Sequence, residues 1–155
     1  MYPTSFHNVA ALLQARSQRF AAADGTTPGD DAVLSLSARV TGMWCTADAR
    51  VLEVLSPFHP WSSGLLETRF SWRPMQPITV VELRAFEMPQ PVTLPGVPEH
   101  KSCSSWVPLP PELKGLATSF DGPPVLSDDE FSRRQGALRE ALATLDGVTA
   151  MPVPL

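Results

Sequence analysis

Two hydrophobic periods alternate along the chain, and each change of period marks a new element. Phe6, Val9, Leu13 and Phe20 recur at spacings of 3, 4 and 7 residues, with alanines at 10, 11 and 21–23. Residues so spaced share one helical face, so a helix is predicted here, ending at Asp24–Gly25. Residues 24–31 read as an acidic loop. The period then falls to two. Leu34, Leu36, Ala38 and Val40 alternate with Ser35, Ser37 and Arg39, which predicts a half-buried strand running on toward Trp44. Residues 47–55 fit a short helix carrying Val51, Leu52 and Leu55, with Thr46 or Asp48 as its cap and Pro57 and Pro60 as its stop.

Residues 78–87 are the strongest strand: β-branched and aromatic, bracketed by Pro77 and Pro89. Residues 92–94 and 102–109 are shorter strand candidates. The clearest helix comes last. Ser127-Asp128-Asp129-Glu130 is a capping box, in which the serine hydroxyl accepts from the Glu130 amide and Glu130 reaches back. Phe131, Leu138, Leu142 and Leu145 form its apolar stripe, and Gly147 terminates it. The tail over 148–155 is expected to be disordered.

Composition fits this reading. The chain has 155 residues, 43% hydrophobic and 18% charged, so one domain over residues 1–147 is expected. Proline, at 17 residues, is about twice the usual share, and its clusters favour short elements. A net charge of −4 excludes a broadly basic surface. Lys101 and Lys114 are the only lysines; the other basic residues are arginine. There is no signal peptide pattern and no long apolar run, so a cytoplasmic protein with no membrane span and reduced thiols is expected. Together the elements predict an α+β domain. Its sheet is mixed or mostly antiparallel, of about four to six strands, with N-terminal, short central and C-terminal helices.

The densest chemistry lies at residues 58–73. His59 and Trp61 share a side of the chain if the backbone there is extended. Arg69, Trp72 and Arg73 join cations to an indole, a combination that can hold a phosphate while a base stacks on the ring. The alternative is that the tryptophans pack in the core and the arginines pair with Glu67 or Glu82. Arg84 lies in mid-strand, where a charge must be exposed, paired or functional. Glu53 is one expected partner, and Arg84 is also a catalytic and binding candidate. His7, His59, His100, Cys45 and Cys103 lack the close spacing of a metal site, so no metal is expected. Cys103, three residues after His100, could form a thiol and base only if folding brings them into line. No phosphate loop or dinucleotide fingerprint occurs, and no cofactor is expected.

Seven stretches in order resemble a bacterial family, the domain of unknown function 1802. They are Tyr2 to His7, Phe58 to Ser62 (FHPWS), Arg69 to Pro74 (RFSWRP), Glu82 to Phe86 (ELRAF), Pro91 to Pro95 (PVTLP), Ser102 to Trp106 (SCSSW) and Leu126 to Phe131 (LSDDEF). Two features depart from the family. Family members carry a strand upstream of the first motif, so an N-terminal truncation is expected, leaving a sheet edge open to self-association. Ser102 also stands where the family resembles glycine. The family is similar to domains found beside restriction-type endonucleases, which implies an accessory role in DNA defence. The expected function is therefore a noncatalytic binding module for nucleic acid, contacting it through Trp61, Arg69, Trp72, Arg73 and Arg84. The alternative is a small hydrolytic or nucleotide-directed enzyme using His59, Arg69 and Arg84. Whether the chain is an enzyme stays open at this point.

Overall fold

The computed structural model describes residues 14, 31–72, 76–94, 111 and 122–153. The helix expected over 6–23 and the strand expected over 102–109 lie outside this described set, apart from Gln14. Two long strands, β1 (Ala32–Thr46) and β2 (Ile78–Leu94), pair antiparallel, with Ala32 opposite Leu94 and Thr46 opposite Ile78. Between them lie α1 (Val51–Val54), a 3₁₀ turn (Ser56–Phe58) and α2 (Ser63–Trp72). After β2 come α3 (Asp128–Ala143) and a two-residue strand, β3 (Thr149–Ala150), in the sheet order β2-β1-β3. The fold is α+β. The described sheet has three strands rather than the four to six expected. No helix among the described residues is long and apolar enough to cross a membrane.

Two expectations need correction. Pro89 does not end β2. Leu36 faces Glu87 and Leu34 faces Val92, so Ser35 alone stands against Met88-Pro89-Gln90-Pro91. The prolines have no amide to donate, and the strand absorbs them as an irregularity before pairing resumes. The tail also holds structure: Thr149 and Ala150 pair with Cys45 and Trp44, and the Met151 amide donates to the Met43 carbonyl at 2.9 Å. Backbone pairing at an edge needs no side-chain pattern, so no hydrophobic period signals it. The segment after Ser62, for which no element was predicted, is helical, and α2 carries Arg69 and Trp72.

Packing explains which elements persist. Ser127 caps α3 as expected, its hydroxyl accepting from the Glu130 amide at 3.2 Å. Glu130 does not reach back. Its carboxylate is held by Arg133 and Arg134 at 2.6 and 2.7 Å. Leu138, Leu142 and Leu145 then bury against Val51 and Leu55 of the α1 region, with Trp44, Ile78 and Val80 of the sheet alongside. Gly147, at φ 61°, makes the left-handed turn into β3. Asp48 is not the N-cap of α1; that position is Arg50, with no side-chain cap. Asp48 instead accepts from the Arg50 side chain and from the Asp146 amide at 2.9 Å. Thr46 Oγ1 donates to the Asp146 carbonyl at 3.0 Å. This polar staple ties the start of α1 to the chain leaving α3.

The hairpin has two unlike faces. On β2, Ile78, Val80, Glu82 and Arg84 turn inward toward the helices, while Val81 and Leu83 turn outward. Opposite residues in an antiparallel pair share a face, so Trp44, Gly42 and Arg39 are inward, and Leu36, Ala38, Val40 and Met43 outward. The alternation in β1 suggested that the Leu36 row would be buried. Leu36 is instead 57% exposed, and Leu83 is 46% exposed. The helices cover the more polar face.

Candidate functional site

The inward face of the hairpin and the first half of α3 enclose a polar seam. Its first element is Arg84, buried beneath the start of α3. Its Nη2 meets Asp128 Oδ1 at 2.7 Å, and its Nη1 donates to the Ser127 carbonyl at 3.3 Å. The guanidinium lies over the Phe131 ring, 4.4 Å from the centroid. Asp128 is exposed and faces solvent on its other side. The ELRAF and LSDDEF stretches, more than forty residues apart in sequence, thus meet at one guanidinium. Glu53, an expected partner of Arg84, is not the residue it pairs with. It sits exposed on α1, whereas Asp128 opens the helix that lies directly across from the strand.

The second element is Glu82, two residues earlier and buried on the same face. Its Oε1 accepts from Thr41 Oγ1 and from Gln135 Nε2, each at 2.7 Å. Arg139 stands 3.8 Å from Oε1, close enough for attraction but too far for a hydrogen bond. Oε2 has no hydrogen-bond partner among the described residues. The register slips between Val40 and Gly42, and this irregularity brings Thr41 onto Glu82. Gly42 follows because the Trp44 ring lies over it where any Cβ would sit. Thr41 of β1 and Gln135 of α3 thus meet at one side chain of β2. The sequence offered a faint sign: Glu82 and Arg84 alternate with Val81 and Leu83 in one strand. Nothing in it identified Thr41 or Gln135.

The electrostatics away from the seam are local. Asp48 has its carboxyl held well below the usual range, chiefly by hydrogen bonds from the Arg50 side chain and then by the Asp146 and Arg50 amides. Asp48 in turn raises the Arg50 guanidinium. The Arg133 and Arg134 side chains lower the Glu130 carboxyl. An open depression of about 490 Å³ lies between Trp44, Arg139, Leu142, Val148 and Ala150. No group of three or more His, Cys, Asp or Glu that could hold a metal ion occurs among the described residues.

The expected site residues fall in different places. His59 is extended, at φ −135° and ψ 159°, and both its ring nitrogens are shielded from solvent. Trp61 is half-buried in an isolated bridge just before α2. Arg69 and Trp72 are three residues apart in α2, and Arg73 lies outside the described residues. Arg84 is in the seam. The 490 Å³ depression is lined by neither His59 nor Arg84.

No curated protein and no solved structure matches the chain. A family model described as "Domain of unknown function (DUF1802)" matches residues 1–137, which include Glu82, Arg84, Asp128 and Gln135. With most of its 155 residues covered, the chain belongs to the DUF1802 family.

Proposed function

We propose that this chain is a noncatalytic binding module of the bacterial cytoplasm that holds nucleic acid as an accessory to restriction-type DNA defence. The observation that carries this reading is the backbone placement of Arg69 and Trp72, three residues apart in α2. Residues at that spacing lie on one helical face. A guanidinium there holds a phosphate while the neighbouring indole stacks on a base. Trp61 precedes the helix, and Arg73 follows Trp72 in the sequence. Arg84 takes a positioning role, because Asp128, Ser127 and Phe131 already surround its guanidinium. The enzyme reading draws no support from His59 or Arg84, whose polar atoms face the protein interior.

Fluorescence anisotropy with labelled single-stranded DNA, duplex DNA and RNA tests the proposal. Binding should weaken steeply as salt rises, and the Arg69→Ala/Arg73→Ala double variant should lose most of it and flatten the salt slope. Trp72→Ala should weaken single-strand binding more than duplex binding. If none of the three nucleic acids binds at low salt, the reading fails.

A further inference from the structure

The tail that folds back on β1 brings a third sulfur to a pair already on that strand. β3 sets Thr149 against Cys45 and Ala150 against Trp44, and the Met151 amide donates to the Met43 carbonyl at 2.9 Å. Met151 therefore stands across from Met43. Opposite residues of an antiparallel pair share a face, and so do residues two apart in one strand. Met43, Cys45 and Met151 thus lie together on the outward face, away from the helices. The Cβ atoms of directly opposed residues are about 5 Å apart, and positions two apart in a strand are about 7 Å apart. Methionine spans such gaps, because its thioether sits on an unbranched chain with three rotatable bonds. Cys45 is a free cysteine.

The surroundings narrow what these three sulfurs can hold. Val81 and Thr79 of β2 stand across from Met43 and Cys45, and Thr149 flanks Cys45 on the other side. None of these is a carboxylate, an imidazole or an ammonium. Magnesium and calcium sites are built from oxygen ligands, and zinc sites from several cysteines, histidines or carboxylates. No group of three such side chains gathers among the described residues. Thiolate and thioether are soft donors, and together they select monovalent copper. Met43 and Cys45 are half-buried and Met151 is 38% exposed, so an ion can reach the sulfurs while the sheet shields them in part. Thr149 and Ala150 are exposed, so backbone bonds rather than burial hold them on β1. An ion shared by Met151 and the strand adds the side-chain hold that this pairing lacks.

We propose that Met43, Cys45 and Met151 form a Cu(I) site. Cys45 binds as the thiolate and releases its proton, and the two thioethers complete a set of three sulfurs. The spacing of histidines and cysteines in the sequence gives no sign of this set, because two of its donors are methionines and one arrives only through the pairing of the tail. Met151 lies beyond the residues that the family model matches, so the site rests on this chain's own tail. The proposal does not depend on the nucleic-acid reading.

Competition with bathocuproine disulfonate for Cu(I), on the full reduced chain without oxygen, reads the outcome. The native chain should retain a single Cu(I) against the chelator. Cys45→Ser should abolish this retention, and Cys103→Ser should leave it unchanged. Met43→Leu and Met151→Leu conserve volume and apolarity. Each should weaken binding by about tenfold or more, since even an outer-shell partner of a metal site is worth that much. With methyl-labelled methionine, Ag(I), a redox-inert ion of the same charge, should shift the Met43 and Met151 methyl signals and leave those of Met75 and Met88 in place. That measurement decides the matter should Cys45→Ser not fold. A native chain that yields all its Cu(I) to the chelator overturns the proposal. So does retention that persists in Met43→Leu/Met151→Leu, an equal loss from Cys103→Ser and Cys45→Ser, or Met43 and Met151 methyl signals that Ag(I) leaves unmoved.

Discussion

The two faces of the β1–β2 hairpin invert the usual arrangement. The inward face carries Glu82 and Arg84 under α3, and the outward face carries Leu36, Val81 and Leu83 in the open. The inward face is stabilised by two unlike halves. Toward Thr46 and Ile78, Leu138, Leu142 and Leu145 exclude water with Val51 and Leu55. Toward Arg84, α3 is held by directional bonds that tolerate little displacement. Apolar contact holds one half of the helix, and side-chain bonds tie the other half to the strand. The difference teaches that a charged row can line the covered side of a sheet when a helix brings matching donors and acceptors to it.

Substitutions can break this contrast in graded steps. The largest effect is expected at Leu142, which is 3% exposed. Leu142→Ala should cost about 2–5 kcal/mol in urea unfolding, through lost burial and a residual cavity. A cost below about 1 kcal/mol would mean that the apolar half is not the main support.

Arg84→Ala should follow, at about 1–2 kcal/mol. It removes the bonds to Asp128 and Ser127 together with the contact over Phe131, whereas the exposed Asp128 can be rehydrated. Asp128→Asn should cost clearly less than Arg84→Ala, because solvent screens that carboxylate. Equal costs for the two would show that the ion pair, and not the packed guanidinium, holds the helix. Ser127→Ala should cost about 1 kcal/mol by leaving the Glu130 amide without its cap, read as lost stability in the same titration.

The staple at Asp48 responds to acid. Its folded carboxyl is lowered relative to the unfolded chain, so its contribution is present above the unfolded value, near pH 4, and fades as pH falls through the folded value. Thermal melts of the native chain should therefore drop below about pH 4 more steeply than those of Asp48→Asn. Parallel curves would remove Asp48 from the account. The smallest effect is expected on the outward face. Val81→Thr, in dilute solution, should change unfolding by less than about 0.5 kcal/mol, since that side chain is 36% exposed. A larger cost would mean that Val81 is covered within a single chain.

Much of this was legible in the residues themselves. The capping box at Ser127 and the 3.6-residue stripe of Leu138, Leu142 and Leu145 rest on contacts within a few residues, and local rules reach them. The β-branched run after Pro77 marked β2 for the same reason, and the ordered motifs pointed to the family. The candidate site was less legible. Arg84 stood out as a charge inside a strand, but its partner Asp128 lies on another element, and the bonds from Thr41 and Gln135 to Glu82 come from two more.

By itself, the sequence determined where elements begin and end wherever the deciding interaction is local: a cap, a glycine turn, a hydrophobic period. Only the tertiary structure decided which face of the hairpin meets the helices, that Pro89 and Pro91 are absorbed within β2, and that Thr149–Ala150 closes on β1. Strand alternation defines two faces without saying which is covered. That choice is made by the fit of a distant helix, through contacts that no sequence window contains.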